Sequence, residues 1–131
     1  MIRKVLAVIA GLVVASIAIM IAEMIGHRIY PIPQGFNKDD MNVMREFMAG
    51  LPAGAFLIVA AGWAIGSFLA GFAAKTISRS NGFLIPLIIG GLLTVGAIAN
   101  FVMMPHPTWF VILGLLIFIP ITLIGHRAAK A

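Results

Sequence analysis

An all-α, four-helix transmembrane bundle is the fold this sequence predicts, with both termini cytoplasmic and one short amphipathic helix outside. Three observations lead there. Residues 5–26, 51–74, 82–102 and 108–125 form four long apolar runs, and roughly 20 apolar residues suffice for a helix to cross the hydrocarbon of a bilayer. Hydrophobic residues make up 62% of the 131-residue chain and charged residues 10%, where a soluble domain carries about 25% charged residues. The third observation is charge placement. Arg3 and Lys4, Lys75 and Arg79, and Arg127 and Lys130 fall on one side of the four runs with no acid among them. The other side offsets Arg28, Lys38 and Arg45 with Asp39, Asp40 and Glu46. Excess lysine and arginine marks the cytoplasmic face.

The first span, 5–26, follows Arg3 and Lys4 and contains the only charge inside any run, Glu23. Its apolar stretch continues well past the 7–15 residues typical of a cleavable signal, so an uncleaved helix is expected. An external loop, 27–50, comes next. Tyr30-Pro-Ile-Pro-Gln-Gly35 reads as rigid and extended, because proline fixes its own backbone and restricts its neighbour's. Asn37-Lys-Asp-Asp40 reads as a helix start, and Met41, Met44, Phe47 and Met48 follow at helical spacing. The second span, 51–74, opens at Pro52, where a missing N–H does no harm. The third and fourth spans carry Pro86 and Pro120, and the short turn between them forces antiparallel neighbours. Gly26 and Gly125 read as helix stops followed by His-Arg. With both faces apolar and no alternation, a β-barrel is excluded. The whole chain, 1–131, reads as a single transmembrane domain.

Small residues recur every four positions. Gly62, Gly66, Ala70 and Ala74 do so in the second span and Ala7, Gly11 and Ala15 in the first. Such stripes let backbones approach closely in lipid. The reading favoured is packing within one bundle, with a homo-oligomer seam as the sharper alternative.

Glu23 is the residue most able to carry chemistry, because an ionisable group inside a span is costly and marks a functional site by default. It stands near the outer end of the first span, and Asn100 holds the matching place in the parallel third span. The two are therefore expected to face each other and hydrogen-bond, with His27 one turn above Glu23 and His106 closing over the group. Glu23, His27, Asn100 and His106 would then form an outward-opening polar site that relays protons or holds a cation. The structural alternative is a carboxylate that reaches the interface and pairs with His27 or Arg28. Metal binding is not expected. A Cu(I) site is the alternative, built from Met41, Met44, Met48, Met103, Met104 and His106, since thioethers and imidazoles suit that soft ion. Trp63 stands near mid-depth, whereas Tyr30 and Trp109 suit an outer aromatic belt.

Catalytic motifs such as a nucleophile elbow, HExxH or a phosphate-binding glycine loop are missing, and the absence of cysteine excludes thiol chemistry. No enzyme activity and no cofactor are expected. The net charge of +5 does not point to nucleic acid, because the cations are scattered at span ends without a basic stripe. Expected partners are the lipid bilayer and other membrane proteins or a second copy of the chain.

Glu23-x-x-x-His27-x-x-Tyr30-Pro31-x-Pro33, Leu51-Pro52, Trp63 and Gly66, and Pro105-His106-Pro107 carry a resemblance over nearly the whole chain. In these the protein resembles a group of small uncharacterised bacterial four-helix membrane proteins. The resemblance implies a multi-pass protein of the bacterial inner membrane with this four-span layout, and it implies no activity. Among function classes, a non-catalytic accessory or scaffold subunit acting by helix–helix packing ranks first. A small proton- or cation-coupled transporter or channel using the Glu23 site is the alternative, and an enzyme ranks last.

Overall fold

A computed structural model describes residues 2–31, 40–79, 82–103 and 106–129, leaving aside the side chains of Met41 and Met44. The described residues are all-α, in five helices: α1 (Ile2–Ile29), α2 (Met41–Gly50), α3 (Ala53–Ser78), α4 (Leu84–Met103) and α5 (Thr108–Ala128). All but α2 are long and apolar enough to cross a membrane.

α1, α3 and α5 are longer than the apolar runs that announce them. α1 passes through Gly26 to Ile29, and α5 passes through Gly125 to Ala128. Neither glycine is a stop. Glycine is permissive rather than obligatory at a helix end, and Gly125 serves a packing purpose inside α5. Pro52 and Pro107 stand just before the first helical residue of α3 and α5, in extended conformation, and their carbonyls accept from Ala55 and Phe110. Pro86 lies in the first turn of α4, where no helical donor is lost. Pro120 is inside α5. α3 ends on Arg79, whose left-handed backbone (φ 57°) aims its N–H at the Lys75 carbonyl, 2.7 Å away.

Asp40 caps α2. Its carboxylate accepts from the backbone N–H groups of Asn42 and Val43, at 3.0 and 3.4 Å. The acids expected to open this helix thus reduce to one cap among the described residues, and Asn37–Asp39 lie outside them. A ten-residue helix is marginal alone. Asp40→Ala is therefore expected to cost α2 about 1 kcal/mol. Amide exchange should accelerate along α2 and stay unchanged in α3.

α3 is the central helix. It packs against α1 on one side and α5 on the other, while α4 lies mainly on α5. The α1–α3 seam is made of the small stripes. Ala7, Ala15, Ala70 and Ala74 are fully buried. A methyl group at Gly62 would strike the Ala22 Cβ, and one at Gly66 would lie 3.1 Å from the Ala15 carbonyl oxygen. At Gly11 it would lie 3.1 Å from the Ala70 carbonyl oxygen. Gly11, Ala15, Gly62, Gly66 and Ala70 thus all serve contacts within the chain. The α3–α5 crossing is tighter still. A methyl at Gly71 would strike the Thr122 carbonyl, and one at Gly125 the Phe68 carbonyl.

Two apolar clusters fill the interior. Toward the α2 end, Phe56, Trp63, Phe110, Ile117 and Phe118 join α3 to α5, with Ala97 from α4. Toward the opposite end, Ala7, Ala15, Ala70, Ala74, Ile85 and Ile89 join α1, α3 and α4. The buried hydroxyls of Ser67 and Thr122 donate to carbonyls of their own helices, at Trp63 (2.7 Å) and Phe118 (2.5 Å). They open no polar track.

Candidate functional site

The four polar residues expected to converge do not form one site. Glu23 and His27 are exposed on α1, and Asn100 is half-buried on α4. Among the described residues, Glu23 makes no hydrogen bond or ion pair, so the bond to Asn100 is not formed and the pairing with His27 or Arg28 is not formed either. Azimuth explains the difference. α1 buries Ala7, Gly11, Ala15 and Ala22 against α3, and at 100° per residue Glu23 is turned well off that stripe. The inter-helix contacts point the same way. α1 meets α4 near Gly11, where a methyl would lie 2.7 Å from Ile89 Cδ1. At the α2 end its neighbour is α3 instead, through Ala22 and Gly62 and through the Tyr30 hydroxyl over Gly54.

The same register revises depth. Because Ala22 opposes Gly62, Glu23 lies on nearly the same level as Trp63, not far outside it as its place near the end of the first span implies. At about 1.5 Å rise per residue, Glu23 stands roughly 7–9 Å from the level of the α3 midpoint.

His106 belongs to a different assembly. Its ring stacks on Phe110 (centroids 5.3 Å apart, planes 14° from parallel) and meets the edges or faces of Phe101 (5.1 Å, 75°) and Phe56 (6.2 Å, 65°). Phe110 continues the contacts inward to Trp63 at 5.1 Å, and Trp63 to Phe118 at 5.2 Å. An aromatic column therefore runs from the α2 end into the middle of the bundle. At its head is a concavity of about 420 Å³, lined by Arg45, Met48 and Ala49 of α2, Leu51, Ala53 and Phe56, and His106, Pro107 and Trp109. Pockets of 300–1,000 Å³ with apolar walls and a few polar groups are the usual form of a ligand site. This one offers a guanidinium and an imidazole over an aromatic floor. That chemistry suits an apolar body with a polar or anionic head. Among the described residues it supplies no nucleophile with an adjacent base.

Of the copper candidates, Met48 and His106 share this pocket, and Met103 is 70% exposed. Met104 and the side chains of Met41 and Met44 lie outside the described residues. No group of three His, Cys, Asp or Glu side chains comes together among the described residues.

Sequence reasoning missed Arg45, Phe56, Phe101 and Phe110 as parts of one site. The available signal was the aromatic pair Trp109-Phe110 and Phe101 flanking Pro105-His106-Pro107. It also missed His126, which is buried in α5 and whose backbone nitrogen meets α3 at Gly71. The two Ile-Gly-His-Arg segments thus differ, since His27 is exposed and His126 is inside.

No family model, no curated protein and no solved structure matches the chain. Function therefore rests on these residues and their arrangement.

Proposed function

We propose that the chain is a multi-pass protein of the bacterial inner membrane that acts as a non-catalytic accessory or scaffold subunit through helix–helix packing. Both termini are cytoplasmic in this reading, because Arg3, Lys4, Lys75, Arg79 and Arg127 then lie inside. The α2 helix and the aromatic pocket face out, with Trp109 and Tyr30 at the outer interface.

One observation carries the reading: α1 turns its ionisable side chain away from its own bundle. Intramembrane acids normally face a bundle interior or a watery cavity. Glu23 does neither, although half the hydrocarbon thickness is about 15 Å, which leaves it inside the apolar layer if α3 is centred there. The described interior is packed mainly with alanine, glycine and aromatic rings, the Ser67 and Thr122 hydroxyls bond within their own helices, and the His126 imidazole is buried near the far end of α5. A polar group on the outside of such a packed bundle is matched by a protein neighbour. A transport pathway would place it inside.

The test is extraction of the native membrane with a lipid-retaining polymer, followed by mass determination of the particle. The expected result is a particle holding more polypeptide than one 13.9-kDa chain. A single-chain particle, together with proton or cation flux in liposomes that Glu23→Gln abolishes, would overturn the proposal in favour of the transporter.

A further inference from the structure

We infer that the outward face of α1 is a seam for a second copy of this chain, with Glu23 of each copy paired to His27 of the other. This deepens the scaffold reading and rests on it.

The face is built like a coiled-coil seam. Ile2, Leu6, Ile9, Val13, Ser16, Met20, Glu23 and His27 follow one another at alternating steps of four and three residues, and all eight are exposed. They lie on the side of α1 opposite the alanine–glycine stripe that meets α3. A 3.5-residue repeat of this kind is what two helices need to wind around each other left-handed. α1 is also the least covered of the four long helices. Leu6, Ile9, Val13 and Met20 are each more than half exposed.

Charge complementarity selects the partner. Two copies inserted the same way in one membrane present α1 helices that run parallel, and a two-fold axis brings the same patch together from both. That requires a patch complementary to itself. An acid and an imidazole one turn apart meet the requirement, since Glu23 of one copy reaches His27 of the other and the reverse holds by symmetry. Helical side chains lean toward the N-terminus, which tilts His27 back toward the Glu23 level. Within one chain the two are not ion-paired. A polar pair at a single seam layer sets register, as buried polar positions do in coiled coils. A different protein would have to supply the base itself, and lipid would leave the carboxylate unmatched.

The chain has no cysteine, so single cysteines can be placed without background. Val13→Cys, Ser16→Cys and Met20→Cys are oxidised in native membranes and compared with Ile21→Cys, Val95→Cys and Leu116→Cys. The three controls are also exposed but off the seam. Covalent dimer at least fivefold stronger at the seam positions is expected, and adding Glu23→Leu to Ser16→Cys should cut its yield at least threefold. Dimer yields equal at all six positions would overturn the inference, as would a yield indifferent to Glu23→Leu. Seam cysteines captured by a different protein would overturn the second copy and leave the scaffold reading standing. No capture at any position, with a single-chain particle on extraction, would overturn both.

Discussion

Gly125→Ala is expected to destabilise the protein by about 2 kcal/mol or more, while the same change at Gly96 stabilises it slightly. Both glycines are inside helices, so both substitutions gain the helix-propensity difference of up to about 1 kcal/mol. They differ in what the new methyl meets. At Gly96 nothing lies within 4 Å, and the propensity gain stands alone. At Gly125 the methyl strikes the Phe68 carbonyl oxygen and lies 2.7 and 2.8 Å from the Phe68 carbonyl carbon and Cα. These are backbone atoms of α3, which cannot swing aside as a side chain does. α3 and α5 must separate, and overpacking of this kind typically costs about 1–3 kcal/mol. The upper end applies here, because Gly71 meets α5 at the same crossing and loses its contacts too. Separation also removes the dispersion contacts that hold helices together in lipid. Reversible unfolding in mixed micelles reads both variants. Equal stability of Gly125→Ala and the parent would mean that the α3–α5 crossing is not as close as described.

The contrast between Gly125 and Gly96 also marks what could be read from the chain and what could not. Run length and the scarcity of charge were enough for four membrane-length helices, because bilayer thickness sets a one-dimensional requirement. The stripes of α1 and α3 were equally open to reading, since both partners of that seam repeat every four residues. Gly71 and Gly125 carry no such repeat. Each is a lone glycine whose importance lies in the helix it meets, and Gly125 beside His-Arg imitates a helix stop. Glu23 failed for another reason. Counting residues along a span measures depth along one axis and leaves rotation open, so matching Glu23 to Asn100 by position could not detect that Ala22 faces α3 and turns Glu23 outward. The level of Glu23 relative to Trp63 was hidden for the same kind of reason, because only the contact of Ala22 with Gly62 sets the α1–α3 register. The pocket needed three elements distant in sequence, α2, the start of α3 and the start of α5, to be brought together. Only Met48 and His106 among its residues were candidates beforehand.

Trp63→Ala should cost about 2–4 kcal/mol, the second large effect. Truncating a buried aromatic side chain costs about 3–5 kcal/mol in a soluble core, part of which is transfer from water. In a bilayer the unfolded helices stay in lipid, so the transfer part shrinks and the lost contacts and the cavity dominate. Those contacts are extensive. Trp63 is 5% exposed and its ring lies within 6 Å of Phe101, Phe110 and Phe118, at 5.8, 5.1 and 5.2 Å. It also covers Gly114, where a methyl would stand 2.7 Å from the indole. The effect should spread beyond stability, because Phe110 bridges Trp63 to His106. With the indole gone, Phe110 can settle inward and the ring stack beneath the pocket loosens. Trp63→Phe keeps an aromatic body there and should recover more than half of the loss. Trp109→Ala provides the comparison. That indole is 43% exposed at the mouth of the pocket, and its removal should cost less than about 1 kcal/mol by the lost edge contacts with Phe56 and Phe110. Unfolding midpoints rank the three variants, and the His106 ring resonances report the stack directly. If Trp63→Ala and Trp109→Ala proved equally mild, the aromatic column would not be what joins α3 to α5.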